Sequence, residues 1–280
     1  MSTSPHTPRP SDRARQVSVT VAEVLCIVGT LVGTGVIGTR VAESSGGALS
    51  ADATHLAPAG PAFSIWSVVY AGLLAYTIWQ WLPAQTTAPR HRAIGWLVVP
   101  AMLLNALWLL VTQVSLLWLS VAVIVALLAT LVAIIARLQS HRASGLPERV
   151  ITDGTFGLYL GWVGVAVCAN IAATLAASGF RPQGVLADGL AVAVLAVVAL
   201  VGIGLAFRFG ARWAVTAAMC WGLGWLAYGR LADAPLSLVV AIAAIVAAIA
   251  IAVGTLVARR RNTSPTTHVG EHTRAEPAHP

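Results

Sequence analysis

The chain has 280 residues, of which 58% are hydrophobic and only 10% charged, with a mean hydropathy of +0.81. A soluble domain usually carries about 25% charged residues, so the composition excludes an ordinary soluble fold and indicates a chain embedded in lipid. The net charge of +7 comes entirely from Arg, there being no Lys, and those Arg residues are spread over short connections rather than gathered on one surface, which argues against nucleic acid as a partner.

Eight apolar runs are each long enough to cross a hydrocarbon core of about 30 Å as a helix. They lie at 17–39, 61–83, 94–112, 114–136, 151–176, 185–207, 211–229 and 235–258. Helices are the default because backbone groups in lipid must be satisfied within the segment. The seventh run, broken by Gly222 and Gly224, is the least apolar in character. The flanking segments 1–16 and 259–280 are rich in Pro, Thr, Ser, Arg and His, and are expected to be disordered cytoplasmic tails. With the N-terminus inside, fourteen Arg residues fall on the cytoplasmic side and only Arg40, Arg181 and Arg230 outside. That bias supports an even number of spans with both termini cytoplasmic.

The connection at 40–60 faces outside and is long enough to cover the mouth of the bundle. On the second helix, Trp66 and Tyr70 share a face, and on the third Asn105 and Trp108 do. On the fifth, Tyr159, Trp162, Ala166 and Asn170 fall in one stripe roughly 80° wide, while Gly154, Gly157, Gly161, Gly164 and Cys168 lie opposite. The small-residue side lets a neighbouring helix approach closely. Counting about 1.5 Å per residue from Ile94 puts Asn105 about 16 Å up and Trp108 about 21 Å up. Trp66, Tyr70, Asn105, Trp108, Ala166 and Asn170 can therefore share one level beneath the 40–60 connection, with Tyr159 lower, at the floor. Aromatic walls with a few placed amides suit a small apolar ligand. Trp79, Trp81, Trp96, Trp118 and Trp213 fall near helix ends and fit interfacial belts.

The exclusions are as informative. The acids within the spans, Glu23, Asp153 and Asp188, are each expected near an end, which counts against a proton or ion path. All seven His residues are expected in tails or connections, so a fixed haem held by two axial His ligands is not predicted, nor is a metal centre. Cys26, Cys168 and Cys220 sit in separate apolar runs and suggest no disulfide framework. No nucleophile elbow or phosphate-binding Gly loop is present, and the reading leans away from an enzyme.

Three motifs in order carry a resemblance. Pro61-Ala62-Phe63-Ser64-Ile65-Trp66 followed by Tyr70, Leu104-Asn105 with Trp108, and Tyr159-Leu160-Gly161-Trp162 with Ala166 and Asn170 are together similar to the TspO/MBR family of tryptophan-rich sensory or translocator proteins. Leu158 stands where the family pattern carries Pro. The resemblance covers about 17–177, the five-helix core of that family. It implies an all-α membrane bundle of five helices followed by three additional ones over 178–258, like a longer bacterial branch. It also implies a porphyrin, haem or sterol-like ligand under the first connection, and a chain that is often a homodimer in the bacterial plasma membrane. A transporter using all eight helices and a structural membrane partner remain the alternative functions.

Overall fold

The structure is a computed structural model and describes residues 7–33, 36–37 and 39–263. Among these residues all regular structure is helical. Eight long helices, numbered α1–α8 in chain order, are α1 (Pro10–Gly33), α2 (Ile65–Trp79), α3 (Pro89–Gln113), α4 (Leu117–Gln139), α5 (Thr155–Ala177), α6 (Gly184–Phe209), α7 (Trp213–Ala232) and α8 (Leu238–Thr263). Seven of the eight, α2 being counted together with the Gly60–Ser64 turn that leads into it, are long and apolar enough to cross a membrane. The exception is α7, which contains Gly222, Gly224 and Arg230. It survives as a helix because it is packed between α5 and α8. Rows such as Val197, Leu200 and Val201 on α6 and Ile242, Val246 and Ile249 on α8 are exposed, as lipid-facing positions are. The chain is an all-α integral membrane protein.

Two boundaries differ from the sequence expectation. Helix α1 begins at Pro10, and Asp12, Arg15 and Gln16 are buried, so the tail expected over 1–16 is in part an anchored helix. Arg92 donates to Asp12 (2.8 Å), Arg15 to the Thr86 carbonyl (2.9 Å) and Gln16 to the Gln80 carbonyl (2.6 Å). These bonds, two of them from charged guanidinium groups, draw polar residues into a helical turn that composition assigns to solvent. At the other end α8 runs to Thr263, beyond the boundary expected at 258; the rest of the C-terminal tail lies outside the described residues.

The earlier start of α1 moves Glu23 to the middle of that helix, where it is buried. The expectation that every acid lies near a helix end therefore fails for Glu23. Asp153 behaves as anticipated: it accepts from Arg90 (2.6 Å) and from Arg212 at the Arg-rich end of the bundle. His91, expected in a connection, is buried in the first turn of α3 against Tyr76, with ring centroids 5.4 Å apart.

Packing is not in chain order. Helices α1, α3, α4 and α5 form successive neighbours, α2 touches α1 and α5, and α5 then packs on α7 instead of on α6. The glycine face of α5 explains this. A Cβ at Gly157 would come within 2.7 Å of the Ala214 Cβ, and one at Gly161 within 2.9 Å of the Ala218 Cβ while overlapping the Val215 carbonyl oxygen. Only glycine permits that approach. Gly164 faces open space. The substitution Gly161→Leu is expected to lower thermal stability by about 1–3 kcal/mol through overpacking. Gly164→Ala is expected to stay within about 0.5 kcal/mol of the parent. Thermal unfolding of the detergent-solubilised chain checks both.

Candidate ligand site at the loop end

The stripe opposite the α5 glycines meets α2, α3 and α4. Trp66 is the hub: it stacks on Tyr70 (centroids 5.3 Å apart, planes 15° apart) and meets Tyr159 (5.8 Å) and Trp162 (6.2 Å) edge to face. Phe63 adds a second edge to Trp162 at 5.7 Å. Offset and edge-to-face pairs of this kind contribute about 0.5–1.5 kcal/mol each beyond area burial.

Two amides tie the rings to side chains of neighbouring helices. Asn105 donates to the Tyr70 hydroxyl (3.1 Å) and lies 3.5 Å from the Cys26 sulfur. Trp108 donates its indole N–H to the Asn170 carbonyl oxygen (3.2 Å), and Asn170 donates to the Ser120 hydroxyl (3.0 Å). Ser120 was not legible as part of the site, because nothing in its local sequence distinguishes it from a small lipid-embedded residue. Tyr159 is fully buried and reaches the Ala101 carbonyl at 3.4 Å.

A cavity of about 50 Å³ lies above this cluster. Of the eight residues named from sequence, Trp66, Trp108, Trp162, Ala166 and Asn170 line it, while Tyr70, Asn105 and Tyr159 pack beneath without reaching it. Its roof is the 40–60 connection, through Val41, Leu49, Ala53 and Pro58. Three buried polar atoms in and under the site have no hydrogen-bond partner: the Trp162 indole N–H, the Asn105 carbonyl oxygen and one Glu23 carboxylate oxygen. Each is a buried polar group that the described residues leave unpaired.

The roof is held from the additional helices. Arg230 of α7 is buried and donates to the carbonyls of Thr54 (2.9 Å) and Ala51 (3.1 Å). The Trp221 indole donates to the Ala62 carbonyl (2.9 Å), and the Ala59 N–H to the Trp225 carbonyl (3.2 Å). His55 lies 3.6 Å from Asp188 of α6, and burial pushes its imidazole below the usual histidine range despite that acid. A hydrogen bond from Ser50 holds the Asp52 carboxyl below the usual carboxylate range. Arg230 breaks the charge bias of the connections, which is the one signal by which sequence could have marked it.

The chemistry of the lining suits a flat aromatic ligand: ring faces, one orphan N–H and an amide. The volume does not suit a macrocycle in this conformation. Ligand cavities for drug-sized molecules span about 300–1,000 Å³, so a macrocycle requires the roof or the rings to move.

These features define a class: an integral membrane helical bundle with an aromatic and amide site beneath the 40–60 loop. Comparison with family models places the chain more closely. The TSPO-like protein family model matches residues 19–257, so the chain belongs to that family, and the match runs through the three additional helices as well as the first five. No curated protein and no solved structure matches it.

The amide bridge is open to a direct check. Asn170→Ala leaves Trp108 and Ser120 without their shared buried partner, and is expected to cost about 1–3 kcal/mol of stability. Thermal unfolding with intrinsic tryptophan fluorescence as the readout would show it, with the Trp108 contribution altered.

Proposed function

We propose that this protein is a membrane-embedded binding or sensory protein for a tetrapyrrole or similar flat apolar ligand, held between Trp66, Trp108 and Trp162 under the 40–60 loop. The single observation that carries this reading is that Trp162, which lines a cavity walled by aromatic rings, has a buried indole N–H without a partner. A ligand with an aromatic face and a polar edge would stack on the rings and accept from that N–H. Asn170 and Ala166 would orient and admit it, while Tyr70, Asn105 and Tyr159 would support the rings from below. Family membership is in keeping with this ligand class. The reading places the Arg-rich end and both termini in the cytoplasm of a bacterial cell, and a homodimer is the oligomer the family resemblance implies. The tetrapyrrole would be cargo or signal rather than a resident cofactor, and no catalytic residue is assigned.

Protoporphyrin IX titrated into the solubilised protein is expected to bind saturably and quench tryptophan fluorescence. Trp162→Phe, which keeps the ring and removes the N–H, should weaken binding by about 5–10-fold, the worth of about 1–1.5 kcal/mol for one hydrogen bond. Unsaturable binding, or binding unchanged in this variant and in Trp66→Ala, contradicts the proposal.

A second reading, transport of a small solute, is favoured by one feature. Glu23 is a carboxyl group buried mid-helix, and intramembrane acids commonly mark ion pathways. On that reading Glu23→Gln abolishes solute flux in proteoliposomes while leaving protoporphyrin binding intact. Flux that persists in the variant removes the support Glu23 gives to transport.

A further inference from the structure

A cavity larger than the one at the aromatic cluster lies beside it among the described residues. It measures about 900 Å³ and lies between α5 and α6 at the loop end. It exists because α6 leans on α8 and barely meets α5. Small residues widen the gap on both sides, Ala172 and Ala176 on α5 and Ala187 and Ala191 on α6.

Its depth and lining identify what fills it. On α5 the wall runs from Ala177 down to Cys168, and on α6 from the start of the helix down to Val194. At about 1.5 Å per residue, each wall is about 14–15 Å deep, which is half of a hydrocarbon core of about 30 Å. The cavity is thus one leaflet deep. Ile171, Leu175, Leu190 and Val194 make its interior apolar. The volume equals the share of roughly 30 water molecules in the liquid, and so much water against an apolar wall at hydrocarbon depth is strongly disfavoured. An acyl chain fits both the depth and the surface.

The rim supplies the other half of the recognition. Asp52 and His55 come from the loop, and Arg181 and Gln183 from the α5–α6 connection. His55 is engaged by Asp188 and Asp52 by Ser50. Arg181 donates its Nε–H to the Ala176 carbonyl (3.0 Å), and no acid among the described residues pairs with its terminal nitrogens. A planar guanidinium fork at the mouth of an apolar slot matches a phosphate or carboxylate at the head of a chain.

We propose that the α5–α6 cleft is a binding site for a membrane amphiphile, with one acyl chain lying between Leu175 and Leu190 and an anionic phosphate or carboxylate head at Arg181. The site is distinct from the aromatic one and does not rest on the tetrapyrrole reading, although the two share Ala48 and Ala53 of the loop and Ala173 of α5. The test is native mass spectrometry of the full chain released from detergent after incubation with dioleoyl phosphatidylglycerol, with oleate, or with dioleoyl phosphatidylcholine. The wild type should retain one anionic adduct in preference to phosphatidylcholine. Retention of phosphatidylglycerol alone identifies a phospholipid head, and retention of oleate alone a free carboxylate. Arg181→Gln should reduce the preference for the anionic species at least fivefold. Leu190→Trp, which sets a ring across the path of the acyl chain, should weaken retention of the adduct, and Trp162→Ala should keep it. Should Leu190→Trp fail to run as a single species on size exclusion, Arg181→Gln decides alone. No retained anionic adduct in the wild type, or an undiminished preference in Arg181→Gln, overturns the proposal.

Discussion

The arrangement depends on the contact between α5 and α7. Gly157 and Gly161 let α7 approach until Ala214, Val215 and Ala218 occupy the volume that side chains on α5 would fill. In a bilayer there is little hydrophobic gain from bringing two helices together, so close backbone approach and dispersion must supply the attraction. That contact has two consequences. It turns the opposite stripe of α5, with Tyr159, Trp162 and Asn170, into the interior against α2, α3 and α4. It also brings the far end of α7 under the 40–60 loop, where Arg230, Trp221 and Trp225 hold the roof. The additional helices are therefore part of the site's construction and not an appendage to a five-helix core.

The site so built is tightly closed. Rings pack on rings, Trp108 and Ser120 share Asn170, and the space left is far smaller than a macrocycle. The polar atoms without partners lie in and just under that space. A ligand that satisfied the Trp162 N–H would recover the cost of leaving it buried and bare, but only after the roof had shifted. The same loop, held by Arg230, roofs the aromatic site and lines the neighbouring cleft through Ala48 and Ala53.

Much of this was legible in the sequence. Apolar length located all eight helices to within a few residues at most ends, and a helical wheel separated the α5 glycines from its aromatic stripe. The start of α1 was misplaced because Asp12, Arg15 and Gln16 read as solvent-exposed, whereas their partners Arg92, Thr86 and Gln80 are distant in sequence. That error also hid the central position of Glu23. Ser120 and Arg230 act through tertiary contacts that carry no local pattern. Tyr70, Asn105 and Tyr159 share a face with Trp66, Trp108 and Trp162, yet each sits about one helical turn deeper, which puts them under the cavity instead of on it. The α5–α6 cleft depends on how far α6 leans away, which no periodicity encodes.

The central claim is that helices from both parts of the chain build one closed site that opens for a flat ligand. Its most direct test is an experimental structure of the full chain in a bilayer mimetic with protoporphyrin IX. The account predicts the macrocycle between Trp66 and Trp162, the Trp162 N–H bonded to it, and the 40–60 loop displaced while Arg230 still holds its base. Porphyrin bound away from these rings, or an α7 that no longer contacts α5 and the loop, would contradict it.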